Sequence, residues 1–106
     1  MIKKLGRKIL NKVEESKAFW LKTDHYNVVD RVRSLPELAK KLSQAPTSAV
    51  IHHLREGKND FAQWIEDVIG DKVLAKRLRG IKAKNWEEMK NKIVKEINKR
   101  IKQITK

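Results

Sequence analysis

The sequence predicts an all-α or mainly α fold, a small bundle of five to six helices that allows one short β-hairpin near residues 19–32. Three observations support this prediction. Only four Gly and two Pro occur in 106 residues, so the loops must be short. Apolar residues recur every three or four positions along most of the chain. Runs rich in β-branched and aromatic residues occur only at 19–22 and 27–32, around a Thr-Asp-His turn.

The first segment, residues 1–17, is predicted to be a basic amphipathic helix. Gly6 weakens it by about 1 kcal/mol relative to alanine. We expect the segment to dock on the rest of the domain. Its apolar positions recur at helical spacing and are Ile2, Leu5, Ile9 and Val13.

Two short helices are predicted after the hairpin. Ser34 and Glu37 form a capping box, which marks the start of the first helix. Pro46 interrupts that helix, and a second one covers about 47–56. Gly57 follows it and is suited to the left-handed conformation of a helix C-cap.

A third helix carries the strongest core-facing pattern of the chain, and Asn59 is its predicted N-cap. Gly70 and Asp71 separate it from a fourth short helix, which continues to Gly80. The apolar residues of the third helix fall at i, i+3, i+4, i+7 and i+8 and are Phe61, Trp64, Ile65, Val68 and Ile69.

Asn85 and Glu88 frame the start of a long helix that runs to about residue 104. Its apolar seam consists of Trp86, Met89, Ile93, Ile97, Ile101 and Ile104. A lysine ridge lies within a sector of about 80° on the opposite side and consists of Lys92, Lys95, Lys99, Lys102 and Lys106. We expect Trp64 and Trp86 to be core residues and Trp20 to be the tryptophan that can be exposed.

The chain is predicted to form a single domain over residues 1–106. Its net charge of +13 is unevenly distributed. Residues 72–106 hold thirteen basic and three acidic side chains, whereas 18–71 hold seven basic and eight acidic ones. The predicted parts are a basic amphipathic helix over 1–17, a charge-neutral to basic helical core over 18–83, and a long basic amphipathic helix over 84–106.

A concentrated basic segment is the electrostatic pattern of a polyanion-binding protein. We therefore expect a non-enzymatic protein that binds DNA or RNA through phosphates without strong sequence preference. The alternative is a solvated lysine face that serves solubility in a heat-adapted protein. The residues expected to contact phosphates are Lys92, Lys95, Lys99, Lys102 and Lys106, helped by Arg77, Arg79, Lys82 and Lys84.

A helix-turn-helix is a weaker hypothesis for the region 37–55. Ala39 would be the small residue in its first helix, but the following apolar positions arrive one residue late. The second helix would offer only His52, His53 and Arg55 as polar residues for reading bases. Sequence-specific recognition by this motif is therefore not expected.

Catalytic and metal chemistry are not indicated. The chain has no cysteine, and no catalytic signature occurs. Adjacent His52 and His53 point about 100° apart on a helix, so they cannot chelate one ion, and we expect one exposed and one partly buried histidine. Carboxylates near the third helix are expected to cap helices or form salt bridges rather than to act as acids and bases. No cofactor and no metal are expected.

Three other partners remain open. The region 59–75 could dock a protein, residues 2–13 could lie on an anionic membrane, and the isoleucine seam could pair with a second copy to form a homodimer. Membrane binding is the least expected, since docking of the first segment on the core accounts for its apolar face. No apolar run is long enough to span a bilayer, and the basic start lacks the apolar region of a signal peptide, so a cytoplasmic location is expected.

Residues 34–75 resemble a small archaeal domain family of unknown function. The resemblance rests on Ser-Leu-x-Glu-Leu at 34–38, on His53, and on Asn-Asp-Phe-x-x-Trp-Ile-x-x-Val at 59–68, followed by Asp71, Leu74 and Ala75. It implies a mainly helical domain and an archaeal, thermophilic source. It implies no catalytic residue, cofactor or partner. The basic segments 1–17 and 76–106 lie outside the resemblance and are expected to be what specialises this member.

Overall fold

Two strands and five α-helices follow one another in residues 9–105, the part of the chain that the computed structural model describes. This arrangement confirms the predicted mainly α bundle and the hairpin near residues 19–32. The elements are β1 (Phe19–Asp24), β2 (Asn27–Val32), α1 (Leu35–Gln44), α2 (Thr47–Leu54), α3 (Asp60–Trp64), α4 (Lys72–Arg79) and α5 (Trp86–Thr105).

The predicted helix over 1–17 does not continue to its expected end. Ile9 and Leu10 are helical, but 11–14 is irregular and Glu15–Lys17 is a single 3₁₀ turn. The reason is a pair of hydrogen bonds to the residue after β2. The Val13 N–H donates to the Arg33 carbonyl at 2.8 Å, and Arg33 Nε donates to the Val13 carbonyl at 2.7 Å.

Capping side chains start four of the helices where the sequence supplies them. In each case the side-chain oxygen accepts the backbone N–H of the residue three positions later, at 2.8–3.3 Å. Each such cap contributes about 1 kcal/mol to stability. The capping residues are Ser34 for α1, Asn59 for α3, Asp71 for α4 and Asn85 for α5.

Left-handed residues end two helices. α2 stops at Leu54, and the predicted extension to residue 56 is a 3₁₀ turn in which Glu56 (φ 60°) and Gly57 (φ 76°) are left-handed. α3 widens into a π-helical turn at Ile65–Ile69, and Gly70 (φ 87°) ends it. The Gly70 N–H donates to the carbonyl five residues earlier at 2.8 Å, which is the bond of a π-turn.

The hairpin and α5 both pack against α1 and α2. β1 pairs antiparallel with β2, with Phe19 opposite Val32, and the side chains of Phe19, Leu21 and Val32 are buried. The hairpin contacts α1 and α2, whereas α5 contacts α1, α2 and α4. The core is therefore built around α1 and α2, and one long face of α5 stays outside it.

The apolar seam of α5 is packed inside the single chain. Ile93, Ile97 and Ile104 are buried, and Met89 and Ile101 are partly buried against the same core. The apolar surface of the seam is therefore already removed from water within one copy of the chain. A homodimer through the seam stays a prediction, and the burial of the seam within one chain does not support it.

The three tryptophans differ in their surroundings. Trp64 is buried as expected, and its Nε1 donates to the Lys17 carbonyl at 2.8 Å. Trp20, on the outer face of β1, is 50% exposed, which agrees with the expectation for it. Trp86 is 41% exposed, so the prediction of a core residue was wrong. As the first residue of α5 it borders a groove, which leaves part of its ring in solvent.

A buried ion pair ties α5 to the start of α4. Asp71 is 2% exposed and Arg100 donates to both of its carboxylate oxygens, at 2.8 and 3.2 Å. The same carboxylate caps α4 through Leu74 N–H. The pair sets the position of α5 along its own axis, because both partners are confined.

Replacing Asp71 by alanine is expected to lower the free energy of unfolding by at least about 3 kcal/mol. The change leaves the Arg100 guanidinium without its buried partner and removes the cap of α4. Chemical denaturation followed by circular dichroism measures this loss. Glu66→Ala is the control, since it breaks an exposed pair with Arg79 and should cost less than about 1 kcal/mol. Equal costs for the two variants would contradict the role given to the buried pair.

Candidate nucleic-acid interface

The outer face of α5 presents a row of lysines. Asn85 caps the helix, and Glu87 and Glu88 lie in its first turn, where the helix dipole favours acidic side chains. Burial of the isoleucine seam then turns the opposite face to solvent. The exposed members of the predicted ridge are Lys92, Lys95, Lys99 and Lys102. Lys106 lies outside the described residues.

The ridge lysines differ in their partners. Lys92 donates to the Lys82 carbonyl at 2.6 Å and lies 3.7 Å from Glu88. The salt bridges within 9–105 do not include Lys95, Lys99 or Lys102. Three ammonium groups therefore stand on one helical face, spread over about 10 Å of its length, with their charge available to a ligand.

Two grooves flank this row. One, of about 510 Å³, lies between α5 and the end of α1, and it is lined by Ser43, Asn91, Val94, Lys95, Asn98, Lys99 and Lys102. The other, of about 310 Å³, lies between α5 and the connector that follows α4, and it is lined by Ile81, Lys82, Lys92, Lys95, Glu96 and Lys99. Lys95 and Lys99 border both grooves, so they form the crest between two concave strips.

The four basic residues expected to help the ridge fall into two groups, two lysines that lie near it and two arginines that are bonded elsewhere. Lys82 lines the smaller lysine groove, and Lys84 is exposed in the same connector. Arg77 instead donates to Gln103 at 2.7 Å and lies 4.0 Å from Glu96. Arg79 is bonded to Glu66 and Gln63. The two arginines are thus engaged within the domain, and the lysines carry the uncompensated charge.

Lys90, on the inner side of α5, is a structural residue. It is 9% exposed, and its Nζ donates to the Ala45 carbonyl at 2.9 Å. That carbonyl and the Ser43 carbonyl, 3.5 Å away, belong to the end of α1, where backbone oxygens lack partners within the helix. A lysine in this place holds α5 against α1 and is not part of the interface.

The helix-turn-helix hypothesis is not supported by the arrangement of α1 and α2. Ala39 is buried at 3% exposure, as the small residue of such a motif would be. However, His52 and His53 are both buried, which leaves Ser48 within α2 and Arg55 just beyond its end as exposed polar side chains. The expectation that one of the two histidines is exposed was wrong, since both are buried and β1 and α3 bond His53 through its two ring nitrogens.

Comparison with known proteins gives a family. A model described as a family of unknown function, DUF5752, matches residues 16–106. The chain belongs to this family. No curated protein and no solved structure matches it. The DUF5752 match extends beyond the resembling residues 34–75 to include the basic segment 76–106, so that segment is part of the family's domain rather than an addition to it.

The motif that carries the resemblance is structural in this DUF5752 chain. Asn59 caps α3, and Phe61 and Trp64 are buried beside Phe19, with ring centroids 5.4 and 5.7 Å from it. Asp60 lies 2.8 Å from Nδ1 of His53. Most apolar residues of 59–75 therefore form core contacts, whereas Val73 is 48% exposed, and docking of a protein on this region stays a prediction.

His53 holds a defined tautomer between β1 and α3. The Lys22 backbone N–H donates to its Nε2 at 2.9 Å, so Nε2 carries no proton and Nδ1–H donates to Asp60. Burial lowers the pKa of His53, although the Asp60 carboxylate acts in the opposite direction. Burial also lowers the pKa of His52, assisted by Arg55. Among residues 9–105 no three His, Asp or Glu side chains gather into a metal site.

The described residues give little support to membrane binding by the first segment. Ile9, on the apolar face proposed to lie on a membrane, is 1% exposed in the domain. Within the described part of the chain, none of the helices combines the length and apolar composition needed to cross a bilayer. The N-terminal residues before Ile9 lie outside the described range.

Acidification is expected to destabilise the DUF5752 domain below about pH 6.5, the ordinary pKa of histidine. A folded-state pKa below the unfolded one means that the unfolded chain binds more protons, so stability present above pH 6.5 is lost as pH falls toward the folded value. Protonation of His53 also removes the acceptor for Lys22 N–H. Urea denaturation at pH values from about 7.5 to about 5 measures the slope.

His53→Gln should flatten that slope, whereas His25→Gln, at the exposed hairpin turn, should leave it unchanged. The carboxylates with lowered pKa values, Asp24, Asp30 and Glu37, titrate below this window and do not confuse it. Because the pKa of His52 is lowered as well, part of the slope should remain in His53→Gln. A domain whose stability is constant over the range, or whose slope is as steep in His53→Gln as in the unaltered protein, would contradict the assignment of the neutral tautomer.

Proposed function

We propose that this DUF5752 protein binds nucleic acid through phosphate contacts, without strong sequence preference and without catalysis. One observation carries the proposal. Lys95, Lys99 and Lys102 stand unpaired within the described chain, on the outer face of a helix whose other face is locked in the core. Because the helix is fixed against the core, its backbone does not have to be ordered when a polyanion binds along it, and only the lysine side chains lose conformational freedom.

The physical basis is the release of counterions. Each phosphate that a lysine neutralises frees condensed cations, which supplies affinity at any sequence. Duplex DNA carries one negative charge per about 1.7 Å of axis, so a row of about 10 Å meets several phosphates. Lysine is a flexible point charge without the fork that reads guanine, so the row contributes position rather than base specificity.

The charged groups elsewhere support a non-catalytic assignment. Asp71 is held by Arg100, Glu66 by Arg79, and Asp60 by His53 and Lys58. Carboxylates engaged in this way cap or bridge helices rather than activate a substrate. We also propose that the protein acts in the cytoplasm of an archaeal, thermophilic cell, the source that the sequence resemblance implies.

A second candidate is a protein-interaction module that uses the hairpin. Trp20 is 50% and Tyr26 is 88% exposed, and Val28 and Val29 are exposed beside them. Trp and Tyr in such positions are the residue types that dominate protein interfaces. This candidate predicts that ridge variants retain function and that hairpin variants lose it.

Replacing Lys95, Lys99 and Lys102 together by glutamine is expected to weaken binding to a labelled duplex. Glutamine keeps the helix propensity and the length but removes the charge. The slope of log K against log salt should fall by about 0.9 for each lysine that contacts duplex phosphate. Fluorescence anisotropy at several salt concentrations measures it, with circular dichroism to check the fold.

The matched control replaces Lys17, Lys40 and Lys76 by glutamine, which removes the same charge from exposed positions that line neither lysine groove. It should retain most of the affinity and slope. Equal losses in both triple variants would show a diffuse charge effect and refute the ridge. No binding by the unaltered protein at low salt would refute nucleic-acid binding altogether.

A further inference from the structure

Trp86 forms one wall of a third groove, of about 460 Å³. The remaining apolar surface comes from Leu54 at the end of α2, Leu78 in α4, Ile81 in the connector and Met89 in α5. This volume lies within the range of small-molecule sites, which are lined mostly by apolar side chains. A half-exposed tryptophan in a concave apolar groove presents a ring on which another ring can stack.

Polar groups at the rim of this groove suit a nucleotide. Lys58 and Arg79 line it, with their side chains 42% and 40% exposed. The side-chain oxygen of Asn59 caps α3, which fixes the amide orientation. Its amide nitrogen donates to no acceptor within the described residues, so it is available to a base carbonyl. The groove thus combines a stacking surface and a hydrogen-bond donor with two cations that each pair with a carboxylate of the domain, Lys58 with Asp60 and Arg79 with Glu66.

The groove adjoins the smaller lysine groove at one residue. Ile81 lines both, and Lys82, Lys92, Lys95 and Lys99 line the second one. Trp86 and Lys92 are six residues apart on α5, about 9 Å along its axis and about 120° around it. A nucleotide whose base enters the groove beside Trp86 can therefore lead its sugar-phosphate backbone past Ile81 toward the lysine ridge.

We propose that the Trp86 groove binds an unpaired nucleobase, which makes single-stranded nucleic acid the substrate class of this protein. The inference rests on the proposed function, since it places the strand's phosphates on the lysine ridge. A base in a duplex is stacked on both faces and cannot enter the groove, whereas an unpaired base can. Stacking on an aromatic ring is tolerant of sequence, which agrees with binding that does not read bases.

Trp20 is the other exposed tryptophan, and its surroundings suit a stacked base less well. The Arg31 guanidinium already lies over its ring, 5.9 Å from the centroid, and Arg31 is paired with Glu15 at 2.7 Å. Neither lysine groove includes a hairpin residue. Trp20 therefore provides a matched control for Trp86.

The test compares two labelled oligomers with the same number of phosphates, an oligothymidylate and an abasic version of it. The full chain should bind the oligothymidylate about tenfold more tightly in an anisotropy titration, which corresponds to about 1.4 kcal/mol. Trp86→Leu should reduce this ratio to about one and leave affinity for the abasic oligomer unchanged. Trp86→Phe should retain most of the ratio, and Trp20→Leu all of it.

A ratio that persists in Trp86→Leu, or that is already one in the unaltered protein, overturns the base-binding groove. If the abasic oligomer still binds with a salt slope that depends on Lys95, Lys99 and Lys102, the phosphate-binding proposal survives that failure. Absence of binding to either oligomer at low salt overturns both proposals. The rescue by phenylalanine separates loss of stacking from loss of folding.

Discussion

The imidazole of His53 is the contact on which the rest of the fold depends. Its Nε2 accepts the Lys22 N–H of β1, its Nδ1–H donates to Asp60 at the start of α3, and its ring packs against Phe19 and Phe61 at 4.8 and 5.2 Å. A two-stranded hairpin is marginal by itself, so an anchor on α2 is what keeps this one in place. Both ring nitrogens are committed, which explains why this histidine has no part in the proposed binding.

The cations of α5 form two groups, one on the helix face that packs against the domain and one on the face exposed to solvent. Lys90 and Arg100 point into the domain, where one closes the end of α1 and the other pairs with buried Asp71. Lys95, Lys99 and Lys102 remain outside and unpaired within the described chain. Burying an unpaired ammonium is costly, so each inner cation has a partner. The outer cations have no such requirement, and their positions are free to serve a ligand.

Local sequence signals predicted the helices well, because caps and periodicity act over a few residues. Ser34, Asn59 and Asn85 start their helices as expected, and the isoleucine seam faces the core. Burial of a residue at the end of a helix depends on the other elements that pack against it. The periodicity of the sequence carries no information about those neighbours. Trp86 continues the seam in sequence but is 41% exposed, whereas the adjacent His52 and His53 are both buried. The ridge was predictable for the same local reason. The groove beside Trp86 was not, because it is formed by residues of three helices that are separate in the sequence.

The two proposed contributions to binding differ in their physical origin. Phosphate contact with the lysine ridge is electrostatic, and it weakens as added salt competes for the same charges. Base stacking in the Trp86 groove buries apolar surface, which salt screens little. The two proposals together predict that the ridge dominates at low salt and tolerates any strand, paired or not. As salt rises, the surviving affinity is increasingly that of the groove, and the preference for unpaired bases grows while total affinity falls. A small domain can thus select strand state without any hydrogen-bond code for sequence.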